Sequence, residues 1–144
     1  MTLRLDETGF GNIEIFQEPE EFCYGVDAVL LADFASQAAK KKSGCRIMDL
    51  GTGTGIVPLI LAHKTRAPYI GCLEVQPHSF SLLEKNILHN HLQERLHGFL
   101  GDVSSFPLDD TLIHSFDIVT TNPPYFAGGG RMKSQNHAKC IDKR

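Results

Sequence analysis

The sequence predicts an α/β protein built on a doubly wound, mainly parallel sheet. Three observations support this fold class. From Cys45 onward, short apolar segments of strand length alternate with longer segments of helical periodicity. A glycine-rich turn at residues 51–55 connects the first apolar segment directly to a helical one. Because strands separated by helices pair in parallel through crossover connections, the alternation indicates a parallel sheet rather than a series of hairpins.

The chain is predicted to begin with a small β-hairpin. Leu3 and Leu5 alternate with polar residues, and Ile13 and Ile15 repeat this pattern after a glycine-containing turn at residues 8–11. Two short alternating segments joined by such a turn are typical of a hairpin. We therefore treat residues 1–44, the hairpin and the helix that follows it, as a unit expected to cover a ligand pocket of the sheet domain.

The helix of this unit is expected to use Asp27 as its N-cap, since an aspartate side chain can accept a free backbone N–H. Three consecutive lysines, residues 40–42, suit the negative end of the helix dipole, and Gly44 ends the helix. Helical spacing assigns one set of apolar residues to a single face, which we expect to be buried: Leu30, Leu31, Phe34, Ala35 and Ala38.

Residues 45–144 are predicted to contain the first four strands of the sheet and to end in a segment that lies at the substrate. The strands are expected at 46–50, 69–75, 97–100 and 116–121. One helix is expected at 56–64 and a second from Pro77, its apolar stripe formed by Phe80, Leu83, Ile87 and Leu88. Few residues follow Thr121, so we expect the fourth strand to lie at an open edge and the sheet to be incomplete on its C-terminal side.

Composition excludes several classes of function. The 144 residues carry a net charge of −3 and contain no apolar run long enough to span a bilayer. Without the charge order of a secretory signal at its start, the chain is expected to be cytoplasmic. Four cysteines and seven histidines show no metal-ligand spacing, so no metal site is expected. Residues 131–144 hold five basic residues against one acidic, which suits either contact with phosphates or a solvated chain end.

The glycine-rich turn is the first candidate for binding chemistry. It follows a strand, opens a helix and reads Asp49-Leu50-Gly51-Thr52-Gly53-Thr54-Gly55. Glycines let backbone N–H groups approach a ligand closely, and the helix N-terminus adds partial positive charge. Dinucleotide-binding folds favour Gly-x-Gly-x-x-Gly, whereas this turn has the spacing Gly-x-Gly-x-Gly. With Asp49 before it, the turn resembles that of class I methyltransferases, which bind S-adenosylmethionine.

Two acidic residues are expected at the same edge of the sheet. Glu74 ends the second predicted strand of the sheet, where a carboxylate can accept hydrogen bonds from ribose hydroxyls. Asp102 follows the third, where it can accept from an adenine amino group. A single acidic residue at such a position is as often a cap or a turn residue. Together with the glycine turn, these residues favour a nucleoside-containing ligand.

The motif Asn122-Pro123-Pro124-Tyr125 comes directly after the fourth predicted strand. Two consecutive prolines stiffen the backbone, which would fix the Asn122 amide and the Pro123 carbonyl in one orientation. Both are acceptors that suit the two hydrogens of a planar amino group, turning its nitrogen lone pair towards an incoming methyl group. Tyr125, with Phe126 beside it, offers a surface for a flat base. Methyl transfer from a sulfonium needs positioning more than a general base.

In combination, these motifs resemble amino methyltransferases that act on adenine or on glutamine side chains. The segment 24–32, Tyr-Gly-Val-Asp-Ala-Val-Leu-Leu-Ala, and the later 136–139, Asn-His-Ala-Lys, are similar to the bacterial tRNA (valine) adenine-N6 methyltransferases. The resemblance implies a Rossmann-like class I methyltransferase fold, S-adenosylmethionine as cofactor and tRNA as partner. Members of that family continue through further strands, so the chain is expected to be truncated at its C-terminal side.

Carried over position by position, the resemblance implies two sets of site residues. The cofactor set is Tyr24, Asp27, Asp49, Gly51, Thr52, Gly53, Gly55, Glu74, Val75, Asp102, Val103 and Asn122. The substrate set is Asn122, Pro123, Pro124, Tyr125 and Phe126, of which Asn122, Pro123 and Tyr125 are expected to act in catalysis.

Three other functions remain open at this point. A protein glutamine-N5 methyltransferase of the release-factor type would use the same motifs, but such enzymes usually carry a separate N-terminal helical domain. A truncated fragment would bind the cofactor without activity. A nicotinamide-dependent oxidoreductase is disfavoured by the glycine spacing and by the motif that begins at Asn122.

Overall fold

A computed structural model describes residues 2–21, 23–105 and 112–123 of the chain. Their helices and strands follow the order β1 (Arg4–Glu7), β2 (Glu14–Gln17), α1 (Val26–Ala39), β3 (Arg46–Leu50), α2 (Ile56–Lys64), β4 (Tyr69–Glu74), α3 (Pro77–His89), β5 (Leu96–Leu100) and β6 (Ile118–Thr121). The predicted elements are all present, with their ends shifted by one or two residues.

The sheet has four parallel strands in the order β5-β4-β3-β6. The predicted parallel α/β architecture is therefore confirmed. The hairpin β1-β2 forms a separate antiparallel pair, as expected from the alternating residues around its turn. Within the described residues β6 is an edge strand, since only β3 pairs with it.

One hydrophobic core joins the helices to the sheet. Alternate residues of the strands, among them Ile47, Ile70 and Leu96, are almost fully buried in it. Helix α2 contributes a continuous apolar segment from Ile56 to Ala62, and α3 contributes Leu83 and Ile87. The hairpin enters the same core through Ile15 of β2, so it packs as part of this layer.

The expected N-cap of α1 was wrong, and its expected buried face was only partly correct, since Ala35 is buried and Leu31 packs against the core. Its N-cap is Gly25, and Asp27 lies inside the first turn, where its carboxylate accepts the N–H of the next residue. The buried face consists of small residues, Ala28, Ala32, Ala35, Ser36 and Ala39. The larger Leu30 and Phe34 are 64% and 76% exposed. Alanines let α1 approach its neighbour α2 closely, and this close approach outweighs the burial of larger side chains.

The stripe predicted for α3 is only partly correct. Leu83 and Ile87 are buried and Phe80 packs against the core, but Leu88 is 60% exposed.

No helix in the described part of the chain is both long and apolar enough to cross a membrane. Among the same residues, no group of three histidine, cysteine or acidic side chains is arranged to hold a metal ion.

The connection after α2 is held by one side chain. The guanidinium of Arg95 donates hydrogen bonds to the carbonyls of Ala62, Thr65 and Ala67, at 3.1, 3.1 and 3.0 Å. Carbonyls at a helix C-terminus have no partners within the helix, and a planar guanidinium can serve several at once. Arg95 therefore fixes the path from α2 into β4.

We expect Arg95→Met to lower the free energy of unfolding by about 2 kcal/mol, because three buried carbonyls lose a charged donor. The matched control is Arg66→Met, which removes an exposed arginine from the same connection and should change stability by less than about 0.5 kcal/mol. Urea denaturation followed by circular dichroism measures both. Equal values for the two variants would contradict the capping role.

Candidate functional site

The candidate site lies at the carboxyl edge of the sheet, where β3 is flanked by β4 and β6. Leu50, the last residue of β3, pairs with Leu73 on one side and with Thr121 on the other. The chain leaves β3 towards β4 and β5 and then returns to the opposite side of β3 as β6. This reversal is the topological switch point at which open α/β sheets bind ligands.

The residues predicted for the site follow this register. The glycine turn (residues 51–55), called the glycine loop below, continues from β3. Glu74 ends β4 on one side of it, and Asn122 follows β6 on the other. Glu74 pairs in turn with Leu100, which brings Asp102 to the next position along the edge. The sheet thus brings the four predicted segments to one edge in the order Asp102, Glu74, glycine loop, Asn122.

The three glycines of the glycine loop have two different roles. All have positive φ, 68° at Gly51, 61° at Gly53 and 102° at Gly55, a region that favours glycine. Among the described residues, apart from the two sequence neighbours, no atom lies within 4 Å of a Cβ placed at Gly51 or Gly53, so these residues leave open space before this backbone. A Cβ at Gly55 would lie 2.7 Å from Leu83 Cδ1. The first two glycines therefore face space that a ligand can fill, and the third allows α3 to pack closely.

Glu74 holds the glycine loop from the neighbouring strand. Its side chain is buried, with Oε1 accepting the N–H of Gly53 at 2.8 Å and Oε2 accepting that of Gln76 at 3.0 Å. A carboxylate offers about four lone-pair sites, so each oxygen can accept a further donor. Val75, the next residue, is 53% exposed at the rim.

Asp49 is buried behind the glycine loop. It is 2% exposed, and its Oδ1 accepts a hydrogen bond from Thr120 Oγ1 at 2.6 Å. Burial raises the pKa of Asp49 to about 6; the Thr120 hydroxyl opposes this shift, and the charge of Glu74 adds to it. The nearby Thr52 hydroxyl also lowers the pKa of Asp49. The Thr52 hydroxyl oxygen is itself buried and has no hydrogen-bond partner among the described residues.

Asp102 lies at the predicted strand end, but its carboxylate supports a local turn. Oδ1 accepts the backbone N–H of Ser104 at 2.9 Å and the Ser104 hydroxyl at 2.8 Å. These two bonds hold the pKa of Asp102 below its usual value. Val103 is 63% exposed beside it. The role of Asp102 and Val103 in cofactor binding stays a prediction.

Asn122 is half-buried, and Pro123 is exposed next to it. Among the described residues, none forms a hydrogen bond with the Asn122 side chain. The predicted substrate residues Pro124, Tyr125 and Phe126 lie outside the described residues.

Tyr24 is 8% exposed and belongs to the core, and burial raises the pKa of its hydroxyl. The cofactor contacts of Tyr24 and Asp27 remain predictions.

Two side chains that support this edge were missed in the sequence. Thr120 lies on the same face of β6 as Ile118 and bonds to Asp49 across the switch point. Asn86 of α3 is fully buried and donates from Nδ2 to the carbonyl of Thr54 in the glycine loop at 2.8 Å. A polar residue at a core position of an amphipathic helix was the available signal for Asn86, because such a residue needs a partner.

The buried Asp49 carboxyl predicts a pH dependence of stability. Its pKa rises from the ordinary value of 3.8 to about 6 on folding, so the folded state binds more protons than the unfolded state between these values. The free energy of unfolding therefore falls as pH rises through this window. The shift corresponds to about 3 kcal/mol.

Asp49→Asn keeps an acceptor for Thr120 and does not titrate. Its stability relative to the unsubstituted protein should increase by about 3 kcal/mol between roughly pH 4 and pH 7. Chemical denaturation over this range measures the difference, in which the carboxylates that do not interact with Asp49 cancel. A difference that does not vary with pH would contradict the raised pKa.

Comparison with curated proteins identifies relatives of similar sequence. The chain is 32% identical over 117 residues to a tRNA1(Val) (adenine(37)-N6)-methyltransferase of the Flavobacteriaceae bacterium strain 3519-10, covering 81% of the chain and 47% of that protein. It is 35% identical over 102 residues to the protein of the same name in Actinobacillus pleuropneumoniae serotype 5b, covering 70% and 40%. The chain spans about half the length of the curated relatives it matches.

Solved structures agree on the fold. The hMettl16 catalytic domain, crystallised in complex with the MAT2A 3′UTR hairpin 1, has a TM-score of 0.69 and 26% identity, covering 84% of this chain and 42% of that one. Pyrococcus horikoshii TYW2 in complex with MeSAdo has a TM-score of 0.61 and 21% identity, covering 74% and 38%. At 21% identity, the comparison with TYW2 supports the fold alone.

The resemblance found in the motifs, and the Rossmann-like methyltransferase fold it implied, are confirmed by these comparisons. The family model of the TRM5/TYW2 methyltransferase domain matches residues 30–127, which is more than half of the chain and includes the glycine loop, Glu74 and Asn122. The chain belongs to the TRM5/TYW2 methyltransferase domain family.

Proposed function

We propose that this protein transfers a methyl group from S-adenosylmethionine to the exocyclic amino group of an adenine in tRNA. The observation that carries the proposal is the position of Asn122. It follows β6 directly, across the switch point from the glycine loop. A methyl donor on the loop and an amino group at Asn122 would then meet at the end of β3.

The residues at this edge fit the cofactor. The open space before Gly51 and Gly53 admits a ligand against the backbone, and the N-terminus of α2 directs partial positive charge towards a carboxylate. Glu74 keeps lone pairs that ribose hydroxyls can use after its bonds to Gly53 and Gln76. The cofactor would supply an electrophilic methyl group on a sulfonium; the residues of the chain would bind and orient it.

The role of Asn122 and Pro123 follows from the hydrogens of an amino group. Two acceptors, the Asn122 amide oxygen and the Pro123 carbonyl, can bind both N–H groups and leave the nitrogen lone pair free to face the donor. Catalysis then rests on alignment and on matching the charge that develops on nitrogen. In the proposed mechanism Tyr125 supplies the stacking surface for the base.

The substrate class is inferred from the relatives. Two of the proteins compared are named for adenine-N6 methylation of tRNA1(Val), and the hMettl16 domain was crystallised with an RNA hairpin. A planar amino group on an RNA base fits the acceptor pair. No feature of the described residues favours a protein amide as substrate over this one.

Substitution of Asn122 should separate chemistry from cofactor binding. We expect Asn122→Ala to lower the rate of methyl transfer by about a hundredfold or more, since an acceptor aligned on the reacting nitrogen is lost. The dissociation constant for S-adenosylmethionine, measured by calorimetry, should change by less than about threefold. Thr121→Ala is the matched control; within the described part of the chain its hydroxyl bonds to the Leu50 carbonyl alone, and both quantities should stay near those of the unsubstituted protein. Parallel losses of binding and rate in Asn122→Ala would contradict the assigned role.

The substrate class is tested with S-adenosylmethionine labelled at its methyl carbon. The protein is incubated with total RNA from a strain that lacks the adenine modification and, separately, with a protein extract. We expect label in RNA, recovered as N6-methyladenosine after digestion, because the acceptor pair fits the adenine amino group. Label in protein would overturn the proposal in favour of a glutamine methyltransferase. Failure to bind the cofactor would overturn it altogether.

A further inference from the structure

Strand β2 has one edge paired with β1 and the other facing α3. On the side facing α3, the backbone groups of Glu14 and Phe16 meet two asparagine side chains. Asn90 accepts the N–H of Glu14 at 3.0 Å and donates to its carbonyl at 2.8 Å. Asn86 accepts the N–H of Phe16 at 2.6 Å and donates to its carbonyl at 3.3 Å.

These bonds make the two asparagines act as a substitute for a third strand. A carboxamide presents one acceptor and two donors, so it can complement the N–H and C=O of one strand residue. Residues four apart on a helix lie one above the other, and alternate residues of a strand point to the same side. Asn86 lies in α3 and Asn90 is the C-cap of this helix, so their spacing matches that of Glu14 and Phe16 along β2.

The two asparagines differ in their third bond. Asn90 uses Nδ2 to donate to the carbonyl of Asn86, in the last turn of α3, at 2.8 Å. Asn86 donates instead to the carbonyl of Thr54 at 2.8 Å. Thr54 lies between Gly53 and Gly55, so of this pair only Asn86 joins the hairpin to the glycine loop.

The glycine loop is thereby held by two side chains from different directions. Glu74 accepts the N–H of Gly53 from β4, and Asn86 donates to the carbonyl of Thr54 from α3. Asn86 is fully buried and uses its oxygen and both of its N–H groups. Loss of the hairpin contact would leave the amide oxygen of Asn86 without a partner in a buried place, and its orientation towards the loop would no longer be fixed.

We infer that Asn86 is a positioning residue that couples the amino-terminal hairpin to the glycine loop, so that the docked hairpin keeps the loop in its ligand-binding form. The inference adds a support from outside the sheet to the site described above. It rests on the proposed function only where cofactor affinity is concerned. The coupling itself is a property of the protein without ligand.

The test compares Asn86→Ser with the matched variant Asn90→Ser. In both variants the new side chain is uncharged and too short to complement the strand backbone. Amide hydrogen exchange is measured on the protein without cofactor. Both variants should speed exchange in residues 14–17. Asn86→Ser alone should also speed exchange in residues 51–56, by about tenfold, the effect of one buried hydrogen bond. Its dissociation constant for S-adenosylmethionine should rise by a similar factor, with that of Asn90→Ser nearly unchanged.

If the amide exchange rates of residues 51–56 are the same in the two variants, the inference is overturned, whatever their affinity for S-adenosylmethionine. If the unsubstituted protein fails to bind S-adenosylmethionine, the proposed function falls, and the exchange data still decide the coupling.

If Asn86→Ser does not fold, Phe16→Pro is used, because it removes the N–H that Asn86 accepts and keeps Asn86 in place. Its matched control is Glu14→Pro. Faster exchange in residues 51–56 for Phe16→Pro only would again support the coupling.

Discussion

The site depends on the central position of β3. Because β4 and β6 pair with it in parallel on opposite sides, the residues that follow these three strands meet at one edge of the sheet. The glycine loop can turn sharply only because its three glycines adopt positive φ. A change of one residue in the pairing of β6 would move Asn122 away from the glycine loop and turn its side chain to the opposite face. The register of β6 against β3, more than any single side chain, therefore sets the distance between the glycine loop and Asn122.

Buried polar groups enforce that register. Asp49 of β3 and Thr120 of β6 are opposite each other and share a short hydrogen bond, which only this pairing allows. Glu74 connects β4 to the glycine loop in the same way. A buried polar group without a partner is costly, so alternative pairings that separate these groups are disfavoured by their own desolvation. The acidic residues behind the glycine loop therefore contribute to specificity of pairing as well as to the charge of the site.

Much of the fold follows from the sequence, because periodicity and glycine positions are local signals. The strands, the two crossover helices and the glycine loop were predicted within one or two residues. The buried face of α1 was predicted only in part, since close packing of alanines against α2 is a tertiary effect that hydrophobicity does not report. Asp102 lies at the predicted strand end, yet its bonds to Ser104 depend on a local turn. Thr120 and Asn86 act through partners 71 and 32 positions away in sequence, and no pattern within a short window contains such pairs.

The asparagine pair on α3 has a consequence for association between molecules. An open strand edge is a template on which another chain can add a strand, and this is a common route to aggregation. The side of β2 that faces α3 offers no such template, because its N–H and C=O groups at Glu14 and Phe16 are already bonded to side chains. A strand from a second molecule would have to displace both amides and leave Asn86 unsatisfied inside the core. Short polar side chains on a helix can thus protect a two-stranded hairpin from recruitment into a larger intermolecular sheet.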